Sequence, residues 1–414
     1  MIRRVAVLSY HSSPLHEPGS GDAGGMTVYV RQLAHALAEV GVWTDIYTRA
    51  DGPNERPVSL RPGVRVIPVE AGPLAPISKE QLPQHLEAFV DGIRAFATSQ
   101  RMRYDVVHSH YWQSGLAGAD LAQVWGVPLV HSHHTLGRVK NLYLAPGDPP
   151  EPDSRLEGES RVISSAAALI ASTDDEYQQL ACMYGASHDR LKILAPGVDH
   201  RLFHPQDKQE AKKGLGIEGR PVLLCVGRIQ KLKGIELAIR ATEQLVHALD
   251  AEPLLLIVGG ASGNGGQLEV DRLKALIDSL GLAPFVRFTG PRPHTELPTY
   301  YAASDVVVVC SHSESFGFAA LEAHACGRPV VGTPVGGLSY VVGSGRSGFL
   351  VDDRDPAVLA GRLKTILADR DLAERFEQDA SARSLRFTWE RTAASFLELY
   401  ECVAHDVAPD LCAC

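Results

Sequence analysis

Two basic side chains, Arg228 and Lys233, follow the apolar run Val222–Val226 in a short loop bounded by Gly227 and Gly234. The loop leads from a predicted strand into a predicted helix, so it lies at the carboxyl end of that strand, where open α/β sheets bind ligands. A guanidinium can bind two phosphate oxygens at once, and a nearby ammonium adds a compact charge. The pattern therefore predicts a diphosphate site rather than a solvated basic loop.

Two carboxylates, Glu314 and Glu322, frame a second loop-to-helix transition after the apolar run Val306–Cys310, with Gly317 between them. If both lay in one helix, they would be roughly 12 Å apart. That is too far for the paired acid and base of a glycosidase. We expect separate roles, one near a sugar ring and one on ribose hydroxyls. Amides at the start of the helix Phe318–Ala325 would bind phosphate or sugar oxygens.

The segment Gly19–Gly24 matches G-x-G-x-x-G, and Asp45 follows about twenty residues later, as in dinucleotide-binding folds. The motif should begin at the end of the first strand, but His11–Gly19 intervenes. We therefore interpret it as a loop that closes over the cleft, with Gly24 and Gly25 at a helix end facing phosphates. A nicotinamide-dependent oxidoreductase stays open as an alternative. Two further glycine pairs, 259–260 and 336–337, would either approach a ligand or form ordinary turns.

Histidines accumulate in His108–Tyr111 and His131–Thr135, and both segments end predicted strands. Because a zinc site needs three or four ligands in the right geometry, we interpret one or two of these imidazoles as substrate-binding and the rest as structural. The segment Asp353–Asp355 matches the Asp-x-Asp of metal-dependent transferases, but beside Pro356 helix capping explains it better. We predict no metal and no cofactor.

Short apolar runs alternate with helical stretches and then restart, which predicts an α/β protein with two Rossmann-like units. The change-over is expected near Ala195–Pro205. We predict a first domain over 1–197, completed by a carboxyl-terminal helix at about 388–405, and a second domain over 198–387. The predicted strands are Val5–Ser9, Trp43–Thr48, Val64–Val69, Val106–Ser109, Leu129–Ser132, Ala168–Ser172, Val222–Val226, Leu254–Val258, Val286–Thr289, Val306–Cys310, Pro329–Gly332 and Gly348–Val351.

The composition is that of a globular protein of 414 residues, long enough for two cores. A net charge of −9 without a basic tract disfavours nucleic-acid binding. No apolar run approaches the roughly 20 residues of a membrane span. Seven scattered cysteines, including Cys412 and Cys414, do not form a disulfide framework. These features predict a cytoplasmic protein.

Four motifs occur together and in order: the glycine loop, Pro-Gly-Val-Asp at 196–199, Gly-Arg-x-x-x-x-Lys-Gly at 227–234 and Glu-x₇-Glu at 314–322. Over almost the whole chain this combination resembles the retaining glycosyltransferases of family four. The resemblance implies the GT-B architecture, in which two Rossmann-like domains face one another across a cleft. It also implies transfer of a sugar from a nucleoside diphosphate sugar, similar to UDP-N-acetylglucosamine, to a small polar acceptor.

Within that family, Gly21–Met26, Ser78–Glu80 and His108–Trp112 are most similar to the branch that glycosylates an inositol phosphate in mycothiol biosynthesis. The likeness implies an acceptor-phosphate site at Lys79, Tyr111, Thr135 and Arg155, with Thr27 in place of an asparagine that contacts the cyclitol ring. The expected donor-binding residues are Gly24, Gly25, Arg228, Lys233, Arg292, Glu314, Phe316, Gly317 and Glu322. The expected catalytic residues are His134, Glu314, Arg228 and Lys233.

The change at Thr27 leaves the acceptor open. Relatives in antibiotic pathways glycosylate aminocyclitols or thiols, so this second acceptor class stands beside the cyclitol phosphate, with either a UDP- or a GDP-sugar as donor. A phosphorylase of the same architecture and a non-catalytic nucleotide-sugar-binding module are further alternatives. The expected partners are the nucleotide sugar and a small acceptor, and a homodimer is a further prediction.

Overall fold

The structure is a computed structural model that describes residues 1–19, 23–145, 147–263 and 265–406. Strands of the first sheet are β1 (Arg4–Leu8), β2 (Trp43–Arg49), β3 (Val58–Arg61), β4 (Val64–Val69), β5 (Val106–His110), β6 (Leu129–Ser132), β7 (Ala168–Ala171) and β8 (Leu191–Ile193). They lie in the order β3-β4-β2-β1-β5-β6-β7-β8. The edge strand β3 is antiparallel to β4, whereas the other pairs are parallel.

Helices cover both faces of this sheet. They are α1 (Gly25–Glu39), α2 (Leu86–Ser99), α3 (Trp112–Trp125), α4 (Gly137–Leu142), α5 (Asp153–Ser165) and α6 (Asp174–Tyr184). One face packs its apolar side chains on α2 and α3, and the other packs on α1. Strands buried on both faces read as continuous apolar runs, which is why their positions were predictable.

The second half builds a six-stranded parallel sheet in the order β11-β10-β9-β12-β13-β14. Its elements are α7 (Lys208–Leu215), β9 (Val222–Val226), α8 (Ile235–Ala248), β10 (Leu254–Val258), α9 (Gly266–Ser279), β11 (Val286–Gly290), α10 (Leu297–Ala303), β12 (Val306–Val309), α11 (Phe318–Ala325), β13 (Val330–Gly332), α12 (Leu338–Val341), β14 (Gly348–Leu350), α13 (Pro356–Ala368), α14 (Arg370–Ser384) and α15 (Trp389–Ala404). Two apolar cores enclose this sheet. The predicted α/β class with two parallel sheets is confirmed.

The last helix, α15, returns to the first sheet. Its Trp389, Phe396 and Tyr400 are buried in the same core as residues of β1 and α1. The chain therefore crosses between the halves twice, and the crossings lie side by side, because Val198 N donates to Phe387 O at 3.1 Å. A Cβ on Gly197 would lie 2.2 Å from Trp389 N, so the crossing strands pack without room for a side chain.

Candidate active site

A cleft of about 890 Å³ lies between the two sheets. Residues that follow β5 and β6 line one side, and residues that follow β9, β10 and β12 line the other. Both sheets therefore direct the carboxyl ends of their strands at the same space, which is where ligands bind in open α/β sheets. The two predicted ligand-binding regions, donor and acceptor, face one another across it.

The predicted diphosphate loop lies between β9 and α8, and it contains a single 3₁₀ turn, Lys231–Lys233. Gly234 has φ 61°, and a Cβ there would lie 2.1 Å from Cys310 O, so the loop packs tightly on the end of β12. This packing holds the Lys233 ammonium 2.6 Å from Glu314 Oε2. Lys231 is exposed and does not line the cleft, whereas Lys233 does.

Glu314 lies in the loop before α11, and Gly317 with φ 98° begins that helix. The distance given for two carboxylates in one helix therefore does not apply, because only Glu322 is helical. Their partners differ as well: Ser311 Oγ donates to Glu314 at 3.2 Å, beside the Lys233 ion pair. Glu322 is buried deeper in the cleft wall and stays accessible to a ligand from one side.

Glu322 is oriented by two neighbours that motif analysis did not single out. Tyr301 Oη donates to Glu322 Oε2 at 2.9 Å, and His294 Nε2 is hydrogen-bonded to Glu322 Oε1 at 2.7 Å. Burial, followed by the charge of Glu322, raises the pKa of Tyr301, so the phenol stays a donor. Such fixed donors orient a carboxylate for hydrogen bonding to hydroxyl groups.

The glycine loop reaches the second half of the chain. Gly260 N donates to Gly19 O at 3.1 Å, and a Cβ on Gly24 would lie 3.2 Å from Arg228 Nε. A Cβ on Gly25 would lie 3.0 Å from the Phe318 ring. The backbone at the start of α1 is thus packed against Arg228 and α11, and closure of the glycine loop over the cleft stays a prediction. Residues 20–22 of the G-x-G-x-x-G motif lie outside the described residues.

On the opposite wall, the Arg155 guanidinium is buried and points into a cluster of polar groups. Its Nη2 donates to Thr135 Oγ1 at 2.9 Å, and its carbon lies 5.1 Å from the centroid of the Tyr111 ring. Tyr111 has φ 73°, an uncommon conformation for this residue type that orients its side chain at the start of α3. Lys79 lines the same part of the cleft. Four predicted acceptor residues are therefore brought together.

Thr27 is not brought to the cleft surface. It is fully buried in α1, where its Oγ1 is hydrogen-bonded to Ser12 Oγ at 2.9 Å. The family resemblance placed Thr27 at the position of an asparagine that contacts the cyclitol ring, but the turn of the helix directs the side chain into the core. Of the remaining donor predictions, Phe316 and Gly317 line the cleft. Arg292 lies exposed at its rim, 5.9 Å from the Tyr300 ring.

Residues 207–383 match the family described as glycosyl transferases group 1, and residues 24–197 match the glycosyl transferase 4-like domain. A D-inositol 3-phosphate glycosyltransferase of Acidothermus cellulolyticus is 46% identical over 405 residues, which are 96% of this chain and 90% of that relative. The D-inositol 3-phosphate glycosyltransferase 2 of Catenulispora acidiphila is 47% identical over 406 residues, 96% of this chain and 94% of the relative. The chain belongs to the family-four glycosyltransferases, as these relatives do.

Solved structures agree with the family. Sucrose-phosphate synthase from Thermosynechococcus elongatus superimposes with a TM-score of 0.90 at 32% identity, covering 98% of this chain and 100% of that one. Anabaena HepE, solved with UDP and glucose, has a TM-score of 0.76 at 23% identity, covering 96% and 98%, and is similar in fold. The glycosyltransferase therefore has the predicted GT-B architecture, and it is an enzyme.

In this glycosyltransferase, the histidines of the two segments His108–Tyr111 and His131–Thr135 have different surroundings. His108 bonds Tyr400 Oη at 2.7 Å and Ser132 Oγ at 3.0 Å, and His131 bonds Ser109 Oγ at 2.7 Å, so both are parts of the core. His134, with φ 61°, lines the cleft, and its Nε2 lies 2.9 Å from His110 Nδ1. In the part of the chain that the structure describes, no cluster of three or more His, Cys, Asp or Glu side chains could hold a metal ion.

Asp355, in the literal Asp-x-Asp match, caps α13: its Oδ1 accepts from Ala357 N at 2.8 Å. The capping interpretation is thereby confirmed. Within the described ranges, no helix is long and apolar enough to cross a membrane. Cys412 and Cys414 lie outside the described residues.

The buried imidazoles predict acid sensitivity. Burial lowers the pKa of His108 and His133 to about 3, and it holds the pKa of His110 and His131 well below the ordinary value. Between pH 3 and 6.5 the unfolded chain binds protons that the folded chain does not, so the free energy of unfolding falls as the pH drops below 7. Each group contributes up to about 1.4 kcal/mol per pH unit.

One buried carboxylate, Glu176, changes the free energy of unfolding in the direction opposite to the imidazoles. Burial raises the pKa of Glu176 to about 7, so the folded chain binds an extra proton between pH 4.5 and 7. The imidazoles outnumber it, and urea unfolding midpoints should fall steadily from pH 7 to pH 5. His108→Asn should flatten this dependence, whereas substitution of the exposed His247 by glutamine should leave it unchanged. A midpoint independent of pH would contradict the burial of neutral imidazoles.

The Gly336–Gly337 pair packs against the backbone of Glu314. Gly336 has φ 48°, a Cβ there would lie 1.9 Å from Glu314 O, and Gly337 N donates to the same carbonyl at 3.0 Å. Gly336→Ala must therefore move the loop that carries Glu314. We expect turnover to fall by about 10² because a shift near 1 Å misaligns reacting groups.

The matched control is Gly361→Ala in α13, where the added Cβ meets no atom within 4 Å apart from its chain neighbours and the backbone of its own helix. That variant should be as active as the unsubstituted enzyme and slightly more stable, because alanine favours the helix. Steady-state kinetics with urea unfolding distinguishes the two substitutions. Full activity of the Gly336 variant would show that the backbone position of Glu314 does not matter.

Sequence motifs missed one link between the two walls. Ser315 Oγ donates to the carbonyl oxygen of His134. The loop between β12 and α11 therefore contacts the backbone of the predicted catalytic histidine directly. The two residues are 181 positions apart, and serine in a polar loop carries no distinguishing signal. Its only clue is its place beside Glu314 in the sequence.

Proposed function

We propose that this glycosyltransferase moves a hexose-type sugar, similar to N-acetylglucosamine, from a nucleoside diphosphate sugar to a phosphorylated cyclitol and retains the anomeric configuration. One observation carries the proposal: two separate sets of cations face one cleft. Arg228 and Lys233 line the donor wall, and Lys79 and Arg155 line the acceptor wall. The relatives named D-inositol 3-phosphate glycosyltransferases support a phosphorylated acceptor.

The donor wall is suited to leaving-group stabilisation. As the bond between sugar and diphosphate breaks, negative charge grows on the diphosphate, and preorganised cations stabilise that change most. The Lys233 ammonium is fixed by Glu314 and is still about a quarter exposed, so its charge reaches the cleft. Arg228 lies beside the backbone of Gly24, where α1 begins, which places a second cation near a helix amino terminus.

The way Glu314 is held argues against a covalent intermediate between this carboxylate and the sugar. The Glu314 carboxylate already accepts from Lys233 and Ser311, so it is tied to the donor loop rather than free to attack an anomeric carbon. We propose that the acceptor hydroxyl attacks from the face that the diphosphate leaves, and that a diphosphate oxygen takes its proton. His134 would orient that hydroxyl, since burial lowers the pKa of His134 to about 3 and keeps the ring neutral. Closure of the glycine loop would exclude water.

A second acceptor class is favoured by Thr27. Its hydroxyl is occupied by Ser12 inside the core, so this side chain makes no contact with a cyclitol ring. A thiol acceptor of a natural-product pathway would need no contact with a cyclitol ring, and an aminocyclitol is the other member of this second acceptor class. The predicted homodimer stays a prediction that sedimentation would test.

Mass spectrometry of products tests these options together. UDP- and GDP-sugars are incubated with an inositol phosphate, an unphosphorylated aminocyclitol and a small thiol. We expect a glycosylated inositol phosphate and stoichiometric release of nucleoside diphosphate. Product from the aminocyclitol or the thiol alone would replace the cyclitol phosphate with the second class. Sugar phosphate formed from inorganic phosphate without nucleotide would indicate a phosphorylase, and donor binding without transfer would indicate a binding module.

A further inference from the structure

The Arg155 guanidinium is held by two carboxylates that differ in position. Its Nε lies 2.8 Å from Glu159 Oε1, and its Nη1 lies 2.8 Å from Glu151 Oε2. Glu159 is fully buried, whereas the Glu151 side chain is 15% exposed and lines the cleft. One carboxylate therefore lies behind Arg155, and the other lies on the side from which an acceptor arrives.

Glu159 is committed to the fold. Both of its oxygens accept from Gly137 N at 3.0 Å, and Tyr184 Oη donates to it as well. Because Gly137 begins α4, Glu159 ties that helix to α5 and holds the inner edge of Arg155 in place. Removal of this carboxylate would leave a buried guanidinium without its inner partner, so Glu159 is a structural anchor.

Glu151, in contrast, is held by groups that line the cleft or lie beside it. Its second carboxylate oxygen pairs with the Lys140 ammonium, and its backbone N donates to Asn141 Oδ1 at 2.7 Å. The carboxylate thus bridges a guanidinium and an ammonium, which is the pair of groups that binds phosphate oxygens best. Arg155 Nη2 points at Thr135, so Nη1 is the donor atom that Glu151 occupies.

We propose that Glu151 is a specificity-determining residue that occupies the acceptor-anion position, so that an acceptor phosphate binds Arg155 and Lys140 only by displacing the Glu151 carboxylate. This inference rests on the proposed phosphorylated acceptor. Glu151 thereby selects acceptors by the charge of the group that replaces it. An acceptor carboxylate would carry the same charge as the Glu151 carboxylate and would gain nothing from the exchange. A phosphate, with a charge near −2 and three oxygens, gains charge and hydrogen bonds when it makes the exchange.

The competition operates at neutral pH. Burial alone would raise the pKa of Glu151, but Arg155 and Lys140 outweigh burial and hold that pKa below its ordinary value. The carboxylate therefore stays charged, and its two cations are neutralised until a more highly charged group enters. Glu151→Gln keeps the shape of the side chain but removes the competing charge.

The first experiment measures phosphate binding without turnover. Inorganic phosphate is titrated calorimetrically into the enzyme saturated with nucleoside diphosphate, which blocks the donor wall. Glu151→Gln should bind phosphate about tenfold more tightly, a gain that corresponds to one lost charge interaction near 1.4 kcal/mol. Glu157→Gln, which changes an exposed glutamate on the following helix, α5, should bind like the unsubstituted enzyme. The gain should vanish when Lys140→Gln is added to Glu151→Gln.

The second experiment measures turnover. With a phosphorylated cyclitol, Glu151→Gln should lower the acceptor KM about tenfold and leave kcat within about threefold, and sulfate- or carboxylate-bearing cyclitols should become competitive inhibitors. Glu151→Asp, whose shorter carboxylate reaches less far between the two cations, should give a smaller gain of the same sign. A raised KM, or phosphate binding that does not change, would overturn the proposal.

The two experiments separate the two hypotheses. If the unsubstituted enzyme transfers no sugar to any phosphorylated cyclitol, the proposed function fails. The phosphate titration still reports whether Glu151 competes for an anion, because it uses no acceptor. Thermal unfolding of each variant accompanies both, and Glu151→Asp supplies the comparison if Glu151→Gln does not fold.

Discussion

Replacement of Lys233 by alanine is expected to lower sugar transfer by about 10³ while the enzyme stays folded. The Lys233 ammonium lies 2.6 Å from Glu314 and is fixed by the tight packing of Gly234 on the end of β12. Loss of one preorganised cation beside a developing oxyanion costs about 3 to 4 kcal/mol of transition-state stabilisation. Because the pair is partly exposed, the free energy of unfolding should change by only about 1 kcal/mol.

The matched control is Lys231→Ala, two positions earlier in the same turn. Lys231 is exposed and does not line the cleft, so its removal deletes the same charge from the loop without touching the donor site. We expect turnover close to that of the unsubstituted enzyme. Release of nucleoside diphosphate, followed at saturating donor and acceptor, gives kcat for both variants. Near-normal turnover after Lys233→Ala would refute leaving-group stabilisation by this residue.

A double substitution identifies how Lys233 acts. If its main task is to hold Glu314, then Glu314→Gln alone should reduce turnover as much as Lys233→Ala, and the double variant should be no worse. If the ammonium acts on the diphosphate directly, the two losses should differ and partly add. Residues in contact couple in such cycles, so the comparison requires both single variants.

Arg155→Lys is expected to have the second large effect, on both stability and transfer. Arg155 is buried between Glu159 and Glu151, and a lysine cannot reach both carboxylates and Thr135. Disruption of a buried ion pair costs about 3 kcal/mol or more. Since the guanidinium also faces the proposed acceptor position, transfer to a phosphorylated acceptor should fall by about 10².

Donor hydrolysis separates the two consequences of this substitution. The donor wall does not include Arg155, so slow release of nucleoside diphosphate in the absence of acceptor should continue in Arg155→Lys. Urea unfolding measures the stability loss, and Arg161→Lys, an exposed arginine on the same helix, provides the control. Transfer that survives at the normal rate would show that Arg155 serves the fold and not the acceptor.

The predictability of this fold follows from burial. Val222–Val226 and Leu254–Val258 were predicted residue for residue, because parallel strands covered on both faces are uninterrupted apolar runs. Two strands were not predicted. Val58–Arg61 is an exposed edge strand, and Leu191–Ile193 spans three residues, so neither has a buried pattern to read.

The donor wall was predictable for a local reason: each of its motifs is one strand, one loop and one helix. Arg228 and Lys233 follow β9, and Glu314 and Glu322 follow β12, so the order of residues in the chain already gives their place. The acceptor wall is different. Arg155, Thr135 and Glu151 meet through contacts between α4, α5 and the end of β6, and only a family resemblance pointed to the first two.

The directions and distant partners of individual side chains could not be predicted from the sequence. Thr27 belongs to the segment that approaches the donor loop, but one turn of helix directs it into the core beside Ser12. The sequence did not tell which histidines of the cluster are structural, because His108 is hydrogen-bonded to Tyr400, which lies 292 residues away on α15. No spacing within the cluster encodes that contact.

The central claim is same-face transfer from a nucleoside diphosphate sugar to a phosphorylated cyclitol. The most direct measurement is the proton NMR spectrum of the product formed from an α-linked donor and an inositol phosphate, with the released nucleoside diphosphate quantified in the same sample. We predict one α-linked glycoside and an equal amount of nucleoside diphosphate. A β-linked product, or nucleoside diphosphate released without any glycoside of the phosphorylated cyclitol, would contradict the claim.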